Sequence, residues 1–111
     1  MELQIKGRNL EVSETMRTFA ERKLAKVDKL CHPSTRIELE LAIEKNPSVS
    51  AHEVAEATVW LKGRTLRARE ASRDMKVSID EVVTKLCREL AELRDKRVAK
   101  RGTHAEPAEL Q

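Results

Sequence analysis

The chain has 111 residues, 40% apolar and 37% charged, which is enough for one domain with a single modest core under an almost wholly ionic surface. Its 22 Lys and Arg stand against 19 Asp and Glu, a net charge of +3, which excludes a histone-like polycation but leaves room for a local basic face. No run approaches the ~18 apolar residues of a spanning helix, Met1–Gln4 has no signal-peptide pattern, and Cys31 and Cys87 are too few for a disulfide scaffold, so a reducing, cytoplasmic setting is expected.

Leu3 and Ile5 alternate with polar neighbours over Glu2–Lys6, a short strand ending at Gly7. Ser13 is a candidate N-cap for a helix that runs to about Leu30 and is stopped by Pro33. Ile37, Leu39, Leu41 and Ile43 then face one way while Arg36, Glu38, Glu40 and Glu44 face the other, the cleanest strand pattern in the chain. Lys45–His52 reads as a loop. A third strand turns Ala55, Ala57, Val59 and Leu61 inward, Gly63 marks a hairpin, and a fourth strand places Leu66 and Ala68 inward. Ser72 or Asp74 caps a last helix whose apolar stripe is Ile79, Val82, Val83, Leu86, Leu90 and Leu93. The expected fold is α+β with order β-α-β-β-β-α, a four-stranded sheet carrying two helices on one face, as in double-stranded-RNA-binding domains. Residues 1–101 form the domain, and 102–111 are expected to be a flexible C-terminal tail.

The charges on the helices are sorted by sign. On the first helix the apolar arc is Met16, Phe19, Ala20, Leu24, Val27, Leu30 and Cys31, and Glu14, Glu21 and Asp28 line an acidic edge. Arg22, Lys26 and Lys29 fall within about one 60° stripe on the other flank, with Lys23 near the apolar arc. Mixed charges usually just solvate an amphipathic helix, but scattered signs would serve solubility better than segregated ones. On the last helix Lys85 and Arg88 lie opposite or beside the stripe, and Arg94, Lys96, Arg97, Lys100 and Arg101 crowd its end. The helix dipole favours a cation there by about 0.3–1 kcal/mol, which accounts for one or two of them. An external anion accounts better for the cluster.

Phe19 and Trp60 are the only aromatic residues, too few for a sheet that stacks single-stranded bases. What remains is recognition of phosphates and helical shape by Lys and Arg, as suits folded RNA. Trp60 falls on the outer face of its strand, either packed under a loop or tail or serving as a contact. No metal-ligand spacing joins Cys31, Cys87, His52 and His104, the three glycines are too scattered to cradle a nucleotide, and no nucleophile–base constellation is visible. No cofactor, metal, small-molecule substrate or catalytic residue is therefore expected.

Three stretches carry a resemblance: "IKGRNLEVSETMRTFAERKLAKVDKL" (Ile5–Leu30), "VAEATVWLKG" (Val54–Gly63) and "LRAREASRDMKVSIDEVVTKLCREL" (Leu66–Leu90). With the strand order, they make the chain similar to the ribosome hibernation-promoting factor and ribosome-associated inhibitor family, also labelled sigma-factor modulation proteins. Lys76 stands where that family usually has an aromatic, and Glu89 and Glu92 stand where neutral or basic residues are common. The resemblance implies binding of the small ribosomal subunit in the channel between head and body, across the mRNA and tRNA paths, with the basic helix faces on rRNA. Translation stops and idle ribosomes are preserved under stress or in stationary phase. The carried-over contacts are Lys23, Lys26, Lys29, Lys85 and Arg88, to which periodicity adds Arg22, Arg94, Lys96 and Arg97. Two forms stay open, a natural short protein and the N-terminal domain of a long one. A protein–protein module that binds a transcription factor through the acidic edge is the alternative of a different class.

Overall fold

In the computed structural model, residues 1–46 and 48–105 are described, with side chains through Asp95. The order is β1 (Glu2–Arg8), α1 (Glu14–Asp28), β2 (Arg36–Ile43), β3 (Glu53–Leu61), β4 (Arg64–Ser72) and α2 (Met75–Ala105). The strands lie side by side in chain order, with β1 parallel to β2 and the β2–β3 and β3–β4 pairs antiparallel. The expected α+β architecture is the one observed.

Alternation decides which side of the sheet is covered. Ile5, Ile37, Leu39, Leu41, Ala55, Ala57, Val59 and Ala68 are buried on one face against Ala20, Leu24 and Val27 of α1 and Ile79, Val82, Val83, Leu86 and Leu90 of α2. The small alanines at the middle of β3 and β4 let α2 approach the strands closely, and α1 packs beside α2 on the same face. The opposite face carries the polar set in register. One row reads Gln4–Glu38–Thr58–Arg67, and the next reads Lys6–Glu40–Glu56–Arg69.

Local chemistry sets the element ends. Ser13 accepts a hydrogen bond from the Met16 amide at 3.1 Å, the expected N-cap of α1. At α2 Asp74 is the cap, its Oδ1 accepting from the Lys76 amide at 2.9 Å, while Ser72 accepts from the Asp74 amide at 3.2 Å and braces the turn. Ser78, fully buried, donates to the Glu53 carbonyl at 2.6 Å and shares a 2.7 Å hydrogen bond with Ser72, so the start of α2 is pinned to the start of β3. The β3–β4 turn has two central residues, with Gly63 at a φ of 79° as tight hairpins require. Two boundaries differ from expectation. β1 continues through Gly7 to Arg8, because a glycine there lets the Leu10 carbonyl come in close without breaking the strand. The α2 backbone runs to Ala105, four residues into the expected tail, and residues 106–111 lie outside the described residues.

At about 1.5 Å per residue α2 is about 46 Å long, against about 30 Å for nine-residue β4. Its burial fades at Leu93, which is half-buried, and Arg94 beyond it is exposed. The apolar stripe holds the helix to the sheet, and the turns beyond Leu93 overhang it.

Candidate nucleic-acid interface

The helix layer is the place to look for the cations singled out by the sequence, and it treats them unequally. Lys23 Nζ lies 3.1 Å from Asp80 Oδ1, so this cation straps α1 to α2. The same ammonium sits 5.6 Å from the Phe19 ring centroid, and Lys76 of α2 sits 5.6 Å from that ring as well. Phe19 is thus flanked by cations from both helices, each drawn by the negative face of the ring. Lys23 is half-buried and already matched, which makes it a positioning residue with little charge to offer outside.

The Asp80 contact also marks the flank of α2 that looks toward α1. At 100° per residue Arg94 lies about 40° from Asp80 toward the apolar stripe, Arg88 lies about 80° to the other side and points outward, and Lys85 lies about 60° beyond Arg88. Lys85 leans instead on β4, 3.9 Å from Glu70 Oε2. It is therefore not brought together with the cations of α1. Arg22, Lys26 and Lys29 are exposed on α1, Arg88 and Arg94 are exposed on α2, and among the described residues none of the five makes an ion pair. Lys26 stands over the seam between the helices. Burial pushes the Cys87 thiol above its ordinary value, and the nearby Lys26 ammonium partly offsets that rise. The side chains of Lys96 and Arg97 lie outside the described residues.

Asp28, at the end of the acidic edge, turns away from this surface, whereas Glu14 lines the same depression as Phe19, Arg22 and Lys76. Asp28 lies 3.4 Å from the Met1 amino nitrogen, and Arg17, on the same flank, reaches toward the Ile5 carbonyl at 3.5 Å, so this side of α1 faces β1. The outward stripe of α1 is left to its cations.

This arrangement has relatives. The profile of the family described as Sigma 54 modulation protein / S30EA ribosomal protein matches residues 3–98. The chain belongs to this family. Among curated S30EA relatives, the ribosome hibernation promotion factor of Picosynechococcus is 33% identical over 107 residues, which is 96% of this chain but 55% of that protein. The ribosome hibernation promoting factor of Salmonella typhimurium is 31% identical over 96 residues, covering 86% of this chain and 96% of the relative. The chain thus spans about half of one relative and nearly all of another. Among solved structures, the N-terminal domain of Protein Y from Thermus thermophilus superposes with a TM-score of 0.71 at 26% identity, over 84% of this chain and 99% of that one. A ribosomal subunit interface protein from Coxiella burnetii gives 0.70 at 25% identity, over 86% and 99%.

Within this S30EA fold, sequence reasoning missed one set of cations. Arg67 and Arg69 project from β4 on the face opposite the helices, and Lys62 and Arg64 extend the set to the hairpin, all four exposed. The signal was available, since Arg67 and Arg69 alternate with the inward Leu66 and Ala68. Trp60 is half-buried on that face and covered by its cross-strand partner, the Arg36 guanidinium lying 4.4 Å from the indole centroid. Among the described residues no group of three or more His, Cys, Asp or Glu could hold a metal, and no helix is long and apolar enough to cross a membrane.

Proposed function

We propose that this chain is a cytoplasmic, ribosome-binding translation inhibitor that occupies the mRNA and tRNA channel of the small subunit and promotes ribosome hibernation under stress or in stationary phase. The supporting observation is the gathering of Arg22, Lys26, Lys29, Arg88 and Arg94 on one helix layer without carboxylate partners among the described residues, in a chain whose charges otherwise nearly balance. Relatives bearing the name ribosome hibernation factor lend weight to the same reading. These five residues would lie on rRNA phosphates, Lys23 would hold the two helices in register, and Lys85 would contribute from the β4 flank. Lys96 and Arg97 would continue the contact along the overhang. Binding works by occupancy, with no catalytic step, cofactor or small-molecule substrate.

The partial span of the Picosynechococcus relative favours a second form of the same reading, in which this is the ribosome-binding domain of a longer factor. The experiment is ribosome pelleting with cell-free translation. Replacing Arg22, Lys26, Lys29 and Arg88 with Glu should abolish both binding and inhibition while circular dichroism stays native. Changing Glu14 and Glu21 to Gln should leave binding intact or slightly tighter, because those carboxylates, which make no ion pair among the described residues, subtract from the attractive field. A folded four-Glu variant that still blocks translation would remove the basic helix face from the mechanism. Loss of activity in the acidic-edge variant alone would favour the transcription-factor module.

A further inference from the structure

The two edges of the sheet are charged alike but neutralised differently. On β1, Lys6 Nζ lies 3.0 Å from Glu38 and 3.8 Å from Glu40, and Arg8 lies 3.8 Å from Glu40. The Lys6 ammonium is held above its ordinary value first by the hydrogen bond to Glu38, then by that carboxylate's charge, with Glu40 adding less. The glutamates of β2 are thus taken up by the β1 edge. On β4, Arg67 and Arg69 stand on the same face, and Lys62 and Arg64 stand at the hairpin. Among the described residues none of these four makes an ion pair, although Glu56 is the cross-strand partner of Arg69. Glu70, the only acidic residue of β4, points to the helix side and meets Lys85.

Cations on an edge strand commonly guard it against pairing with another chain. That role explains the β1 edge, where matched charges suffice. It does not explain four unmatched cations, three of them arginines, whose forked donors suit phosphate better than a solubilising charge needs. Arg67 and Arg69, two residues apart on an extended strand, are separated by about 6.6 Å, close to the spacing of successive phosphates along a nucleic-acid strand. At the hairpin end, on the helix side of the sheet, an open cleft of about 980 Å³ is lined by Trp60, Leu61, Leu90 and Leu93 beside Lys62, Arg64 and Arg94, and none of its described lining residues is acidic. A cationic rim over an apolar floor, with the Trp60 indole already stacked under Arg36 at its edge, suits an unpaired nucleotide at the end of such a strand.

We infer that the outer face of β4 and the tip of the β3–β4 hairpin form a second RNA-binding surface, which takes a single RNA strand along Arg69 and Arg67 on the outer face and then over the hairpin at Lys62 and Arg64. Arg64, paired with the inward Leu61, leads round the end of the sheet into the cleft. Because the helices cover the other side of the sheet, the domain holds two RNA segments at once and bridges them. The choice of RNA rests on the function proposed for the helix face, with which the cleft shares Arg94, a residue left unchanged in the variants below.

The test uses the whole chain, a 12-nucleotide oligouridine strand and a 12-base-pair RNA duplex carrying different fluorophores. The variant R64Q/R67Q/R69Q should lose strand binding, and its slope of log affinity against log salt should become shallower by about 2, at about 0.7 per single-strand phosphate contact. R64K/R67K/R69K should retain most of the slope, because it keeps the charges. The helix-face variant R22E/K26E/K29E/R88E should still bind the strand. Energy transfer between the two fluorophores in one complex should appear with the native chain and vanish with either variant. Strand binding lost only in the helix-face variant would overturn this inference while leaving the proposed function standing. Self-association of the Gln variant with unchanged strand affinity would also overturn it and assign the arginines to edge protection. Unchanged strand affinity with weakened ribosome binding would overturn it in favour of a protein partner. Failure of the helix-face variant on ribosomes, with strand binding and its β4 dependence intact, would support the inference independently.

Discussion

Two neighbours on α2 show how little sequence distance says about role. Leu86 is fully buried, whereas Lys85 beside it is half-exposed and meets Glu70 at 3.9 Å. Leu86→Ala should cost about 2–5 kcal/mol, because the space it leaves under α2 cannot close. Lys85→Ala should cost less than about 0.5 kcal/mol, since an ion pair this exposed is largely screened. Urea melts of the two variants check the pair, and equal losses would mean the faces are misassigned. The cysteines give a residue-level test in pH. Burial first, then Asp28 and Cys87, raise the Cys31 thiol against the opposing amino terminus, and burial raises Cys87. Both should therefore react with iodoacetamide more slowly than an unfolded control at pH 8. Above the ordinary value of 9.0 the unfolded chain releases these protons first, so thermal stability should fall as pH rises past that value and should fall less in C31A/C87A. Periodicity shows which residues face the core. It does not show whether a flanking lysine will find a carboxylate on another element, as Lys23 does with Asp80 and Lys85 with Glu70.

Elements are fixed by a handful of short hydrogen bonds and by positions where a side chain does not fit. Ser78 ties the first turn of α2 to β3 from inside the protein. Ser78→Ala should destabilise by about 1–3 kcal/mol by stranding the part-buried Glu53 carbonyl, more than a helix-propensity gain from alanine returns. A chemical melt of this variant beside Thr84→Ala, an exposed position on the same helix, separates the two effects. Most of this level was visible in the sequence. The strand stripes, the Ser13 cap and the Gly63 turn each follow from local rules that the structure keeps. The end of β1 was misplaced because glycine usually signals a break, while here its use is the close approach of the Leu10 carbonyl three residues later. Such a contact has no local signature.

At the scale of the molecule the small net charge of +3 conceals the sorting of cations onto the outer helix stripe and the β4 edge. If about six duplex phosphates are contacted in total, raising salt from about 50 to about 200 mM should weaken ribosome binding on the order of a thousandfold, with rRNA and magnesium altering the slope. Sedimentation at stepped salt reads this directly, and a flat response would point to apolar or protein-mediated contacts. The helix part of this surface was legible from 100° periodicity. The β4 part was not, because Arg67 and Arg69 are the outward alternates of a strand, where charged residues ordinarily only meet solvent.

The parallel pairing of β1 with β2 also sets an order of events in time. Glu2 meets Arg36, and every β1–β2 partner is 34 residues apart, whereas Leu61 meets Arg64 across the hairpin. Closing the short loops of β2, β3 and β4 costs less chain entropy than closing the long one through α1. The three antiparallel strands with α2 are then the unit that assembles early, and β1 is the piece that joins last and leaves first. Amide hydrogen exchange in the native protein should follow that order, with β1 amides exchanging well before those of β3. Uniform protection across all four strands would mean that the sheet opens only as a whole.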